Sequence, residues 1–151
     1  MEKDVAMTGK LGFDIQVSHL SANEISFCRN AVENYKRLQN TINFGLLYRL
    51  ISPYHNNQAA LMYADSNSRR AVLFAYNLNT TNEDNFPRLI LQGLDPTKKY
   101  QVEEINGQEG KRTAFKQSGQ EFTGDYLMKE GLNWWLRAPL TSSILELNAV
   151  E

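Results

Sequence analysis

An apolar stripe of helical spacing, followed at once by short strand-like runs, constrains this chain more than any other feature. Ile25, Cys28, Val32, Tyr35, Leu38 and Ile42 recur at steps of three and four. That spacing lays them along one side of an α-helix. Ser21 and Glu24 open the stripe with the spacing of a capping box: the serine caps the helix start and the glutamate reaches back. The pattern predicts a helix of roughly 20 residues over 22–41, stopped near Gly45.

Beyond Gly45 the period changes. Leu47–Ile51 is stopped by Ser52-Pro53, and Ala59–Tyr63 ends at the turn cluster Asp65-Ser66-Asn67-Ser68. Ala71–Tyr76 is a near-continuous apolar run, as a central strand requires. Leu89–Leu91 ends at Gly93, with a turn at Asp95-Pro96. Tyr100–Ile105 alternates and stops at Asn106-Gly107, a hairpin signal. Further short strands are expected near 113–116 and over Tyr126–Met128, and Ser142–Leu147 closes the pattern. The polar segment Gln108–Phe122 reads as a loose hairpin. Connections of a dozen or more residues, which parallel pairing needs, are missing. The expected fold is mainly β: an antiparallel Greek-key-type β-sandwich preceded by one long amphipathic α-helix.

Chemistry is sparse. The 151 residues carry a net charge of −1, so nothing draws the chain to nucleic acid or an anionic membrane. No apolar run approaches the ~20 residues of a membrane span. Cys28 is the sole cysteine, which excludes an intramolecular disulfide; it reads as a small buried hydrophobe. Asp65, Asp84, Asp95 and Asp125 lie in turn-like sequence, where aspartate bonds its own backbone. His19 and His55 are isolated and make no metal-ligand cluster, so neither metal nor cofactor is expected. Trp134-Trp135 invites a sugar-stacking role. Neighbours on a strand point to opposite faces, so at most one of the two faces solvent.

The motifs, taken in order, resemble one family. They are Val5-Ala6-Met7-Thr8-Gly9-Lys10-Leu11-Gly12-Phe13-Asp14, Phe44-Gly45-Leu46-Leu47-Tyr48-Arg49-Leu50-Ile51-Ser52-Pro53 and Ala71-Val72-Leu73-Phe74. Leu91-Gln92-Gly93-Leu94-Asp95-Pro96 and Gly124-Asp125-Tyr126-Leu127-Met128 with Gly131-Leu132 follow. Together they cover nearly the whole chain and resemble the bacterial α-galactosidases of glycoside hydrolase family 36. The sequence departs from that pattern around Asn133-Trp134-Trp135.

The resemblance implies that residues 1–44 are the end of a catalytic barrel (last strand, loop and helix) and residues 45–151 a C-terminal β-sandwich domain. It implies a non-catalytic part of a retaining glycosidase that releases terminal α-galactose. Retaining hydrolysis needs two carboxyl groups about 5–5.5 Å apart. The family's two catalytic aspartates lie in upstream barrel segments, and its Lys-Trp-Asp setting has no match here. No catalytic residue is therefore assigned. Met7, Gly9 and Gly12 would border the sugar site of an intact enzyme, since barrel active sites sit at the C-terminal ends of the strands. Implied partners are the barrel of the same polypeptide, an α-galactoside and further copies in a homo-oligomer. The cytoplasm is the expected location, with export open because an upstream signal would not be visible. The alternative is a stand-alone carbohydrate-binding or scaffold module. A chain without the rest of its barrel is expected to dimerise or to tuck its N-terminal segment onto the helix.

Overall fold

Ser21 begins the long helix as its spacing requires. In the computed structural model, which describes residues 1–13, 16–79, 88–107, 115–136 and 138–150, helix α2 spans Ala22–Phe44. Ser21 N–H donates to Glu24 Oε2 at 2.9 Å, and Ser21 Oγ accepts from the Glu24 amide, completing the capping box. The Ser21 amide and hydroxyl hold the Glu24 carboxyl below its ordinary range. The helix runs one turn past the expected end. Gly45 stops it in extended rather than left-handed conformation, with φ −75°. Glycine is required there by close approach. A Cβ would lie 2.3 Å from the Thr41 carbonyl oxygen and 2.7 Å from that of Ala64.

Six strands form one antiparallel sheet: β1 (Leu46–Ile51), β2 (Gln58–Ala64), β3 (Arg70–Asn77), β4 (Lys99–Glu104), β5 (Gln120–Thr123) and β6 (Thr141–Val150). Their order is β1-β2-β3-β6-β4-β5. The last strand crosses back between β3 and β4, so neighbours in space are not neighbours in sequence, the Greek-key trait. Central β3 is buried along both faces, which is why it reads as an unbroken apolar run.

On one face Ala60, Met62, Leu73, Tyr100, Val102, Leu145 and Leu147 join Leu89, Leu91, Phe115, Leu127, Leu132 and Trp134 in a large apolar core. Among the described residues this opposing layer contains no strand of the sheet. It consists of loops, the Leu89–Leu132 antiparallel bridge and the short helix α3 (Gly124–Lys129). On the other face α2 packs Leu38 and Ile42 on Val72, Phe74, Tyr76 and Ile144.

Several local expectations change. Tyr126–Met128 is helical because Thr123 caps it, accepting from the Tyr126 amide at 3.2 Å, and Lys129 pairs with Asp125 one turn away. Leu89–Leu91 is a single bridge, not a strand. Asn106-Gly107 is no two-residue hairpin turn: β4 reaches β5 through residues 105–119. The Asn106 side chain substitutes for a strand neighbour, accepting from the Ile144 amide and donating to the Ser142 carbonyl. Residues 113–114 of the strand expected near 113–116 lie outside the described residues, and Phe115 is buried without joining a strand.

The N-terminal stretch, expected to enter as a strand, is helical over Glu2–Ala6 (α1). A helix satisfies its own backbone groups, whereas a lone strand needs a partner. Glu2 and Asp4 also place negative charge in the first turn, where the helix dipole favours it.

Candidate functional site

The most elaborate polar construction lies where α1 meets α2 and the sheet. Met7, immediately after α1, is 1% exposed and inserts into the apolar cluster of Leu38, Ile42, Val72, Phe74 and Ile144. Three tyrosines from three elements then grip the main chain of this segment. Tyr76 on β3 donates to the Asp4 carbonyl at 3.0 Å. Tyr63 on β2 donates to the Thr8 carbonyl at 3.0 Å, and Tyr35 on α2 to the Gly9 carbonyl at 2.7 Å. Burial pushes the Tyr63 phenol above its ordinary range. Tyr76 is pushed up further, by burial first and then by the negative charges of Asp4 and of ionised Tyr63.

Asp4 is itself buried. Its Oδ2 accepts from Ser142 Oγ at 2.6 Å and Asn106 Nδ2 at 3.1 Å. Its Oδ1 lies 3.2 Å from Lys3 Nζ without hydrogen-bond geometry, so that contact is an ion pair. The same ammonium sits 4.0 Å over the Phe27 ring of α2, a cation–π contact that ties α1 to the helix.

A second buried carboxylate, Glu146 on β6, faces α2. Arg37 of α2 donates to its Oε2, and Arg70 Nε lies 3.5 Å from its Oε1. Arg70 also donates to the Arg37 carbonyl, so the pair ties helix backbone to sheet. Glu104, half-buried at the end of β4, accepts from Ser143 Oγ and the Phe115 amide. Each of these carboxylates is committed to holding elements together.

The residues singled out in the sequence fall in different places. Gly9 and Gly12 have nothing within 4 Å of where a Cβ would stand, so this chain does not itself demand glycine there. Met7, which shares their motif, points into the core instead. Asp65 accepts from the Arg69 and Arg70 amides, and Asp95 from the Thr97 hydroxyl and amide, as turn aspartates do. The Thr97 hydroxyl and amide, in that order, hold the Asp95 carboxyl down. Asp125 pairs with Lys129, while Asp84 lies outside the described residues. His19 and His55 are exposed. Cys28 is half-buried on α2 rather than buried. Trp134 is 2% exposed and Trp135 50%, one inward and one outward. Among the described residues no three His, Cys, Asp or Glu side chains gather as metal ligands. No described helix is long and apolar enough to cross a membrane.

Sequence reasoning missed Asp4, Glu104 and Glu146. A signal for Glu146 was present: the alternation of the last strand puts it on the same face as Ile144, which is a core face.

Comparison with known proteins agrees with this architecture. The profile of the glycosyl hydrolase family 36 C-terminal domain matches residues 58–147. Alpha-galactosidase 1 of Pediococcus pentosaceus is 33% identical over 97 residues, which are 64% of this chain and 13% of that protein. Alpha-galactosidase Mel36A of Lactobacillus acidophilus is 35% identical over 96 residues, 64% of this chain and 13% of that protein. The crystal structure of the α-galactosidase AgaB from Geobacillus stearothermophilus superposes with a TM-score of 0.81 at 27% identity. It covers 98% of this chain and 19% of that one. The chain thus spans less than a fifth of the length of these relatives. With a profile match over residues 58–147 and a superposition over nearly the whole chain, this protein belongs to the glycosyl hydrolase family 36 C-terminal domain family.

Proposed function

We propose that this chain works as the non-catalytic C-terminal region of an α-galactosidase, a retaining glycosidase that releases terminal α-galactose from oligosaccharides. In this reading residues 1–44 close the catalytic barrel, and residues 45–151 form a separate domain that covers its last helix and steadies it. The observation that carries the reading is the AgaB superposition, which takes in α1 and α2 together with the sheet. A variant of the related AgaA was solved in complex with raffinose, which supports an α-galactoside as substrate of the whole polypeptide. Met7, Gly9 and Gly12 are proposed to border the sugar site, with the two open glycines leaving room for a ligand or a barrel loop. A homo-oligomer in the cytoplasm completes the proposal.

The test is the mass of the native polypeptide in the source cell, by blotting with an antibody to this chain, followed by assay of the captured protein on p-nitrophenyl α-galactoside. A band larger by at least ~250 residues, the size of a barrel, that hydrolyses the substrate is the expected result. A band near 17.3 kDa without activity overturns it. That outcome would favour a stand-alone carbohydrate-binding module, for which Trp135 at 50% exposure is the one supporting observation. Quenching of tryptophan fluorescence by galactosides would then be measured.

A further inference from the structure

We propose that Tyr35 and Tyr63 are positioning residues for the Thr8–Gly12 loop, and that through it they set the edge of the α-galactoside site. The second half of this statement rests on the function proposed above; the first half does not.

A short helix ends with carbonyls that have no partner further along the helix. After α1 the Thr8 amide turns back to Val5 O and the Gly9 amide to Ala6 O, and Thr8 Oγ1 also donates to Val5 O. The carbonyls of Thr8 and Gly9 are left pointing away from that turn. Tyr63 and Tyr35 meet them, at 3.0 and 2.7 Å, one from the sheet and one from α2. Between them Met7 is anchored in the core, and Tyr76 holds Asp4 from behind. Beyond Gly9 the next contact is Leu11, half-buried against the same α2-side cluster, whereas a Cβ at Gly9 or Gly12 would meet nothing within 4 Å. The direction in which the loop leaves the body is therefore set first at Thr8 and Gly9, by two phenol hydroxyls, before Leu11 returns to the core. Because the acceptors are main-chain atoms, the grip is independent of the side chains of the loop.

Hydrogen exchange read by mass spectrometry on this chain tests the positioning. Tyr35→Phe and Tyr63→Phe each keep the ring and remove only the donor. Each is expected to speed exchange of the Met7, Thr8 and Gly9 amides about threefold to tenfold, the loss of one ordinary hydrogen bond. Exchange within β3 should stay unchanged. Tyr48→Phe, outside this seam, should leave both regions unchanged. Unaltered exchange at residues 7–9 in both variants, or equal acceleration in β3, overturns the proposal. In the barrel-containing polypeptide, Tyr35→Phe should raise KM for p-nitrophenyl α-galactoside severalfold while kcat holds. Local exchange that accelerates with KM unmoved would keep the loop grip and overturn its link to the sugar.

Discussion

The two faces of the sheet are closed in different ways. The face toward the loops holds the larger apolar core, where Leu73, Tyr100, Val102, Phe115, Leu127 and Leu147 are completely buried. Its buried polar residues Gln58, Asn77 and Ser143 are uncharged, and the covering layer comes from residues 89–94, Phe115 and residues 124–136. The face toward α2 mixes a smaller apolar cluster with buried Asp4 and Glu146 and their partners. The first kind of closure is non-directional and grows with the area removed from water. The second depends on individual geometries, and it ties segments far apart in sequence: Asp4 to Ser142, Arg37 to Glu146. The loop face therefore supplies most of the stability, while the helix face determines how residues 1–44 sit on the rest.

The largest effect should come from the loop face. Phe115 is fully buried, and Phe115→Ala should cost about 3–5 kcal/mol, as emptying an aromatic site does. Urea unfolding followed by circular dichroism would measure it. A loss no larger than that of a helix-face substitution would dissolve the distinction.

Glu146→Ala comes next. It removes the charge-assisted hydrogen bond from Arg37, worth about 1.5–3 kcal/mol at most, and the ion pair with Arg70. Both arginines are more than a third exposed and can turn to water, so the lower end is expected. The sharper consequence is local: α2 should loosen at Arg37 while the loop-side core keeps its exchange protection. Uniform loss of protection would show that the ion pairs stabilise the whole fold and not the seating of the helix.

Alkaline titration divides the faces differently. Tyr63 and Tyr76 on the helix side and Tyr100 on the loop side are all pushed up, in each case chiefly by burial. The folded state favours the neutral phenol. Its contribution is complete below the unfolded value of about 10 and is lost as pH rises through the higher folded values. Tyrosinate absorbance at 295 nm should show Tyr63, Tyr76 and Tyr100 titrating above the free phenol, together with loss of the sheet signal. Early titration of Tyr63 and Tyr76 with the sheet intact would mean that α1 opens by itself.

How far the sequence could be read follows the same division. The capping box, the α2 stripe and five of the six strands of the sheet were legible because each is written in local spacing and turn chemistry, whereas β5 lies in the polar stretch that read as a loose hairpin. The loop layer was misread where it was read as strands: Tyr126–Met128 and Leu89–Leu91 have strand-like composition. Their conformation is decided by a Thr123 cap and by one bridge to Leu132. The seam at α1 was illegible because its hydrogen bonds to the rest of the chain span 26 to 138 residues, as in Tyr35 to Gly9 and Ser142 to Asp4. A tyrosine hydroxyl that meets a carbonyl leaves no periodic trace.

The smallest predicted effect tests the far end of α2. Its stripe is fully buried only over its C-terminal half, at Leu38 and Ile42, whereas Ile25, Cys28 and Val32 are half-buried. Helix amphipathicity alone would rank all of these positions equally. Packing ranks them unequally, because the sheet and α1 reach only part of the stripe. Val32→Asp in this chain should therefore lower stability by no more than about 1 kcal/mol, near the ordinary range for sites outside a packed core. In a polypeptide that carries the barrel, the same substitution should lower the melting temperature measurably, since the open half of the stripe is where the missing neighbours would pack. A large loss in the short chain would mean that the stripe is already covered and that the helix face is complete without them. An equal, small loss in both would remove the stripe as evidence that anything packs there.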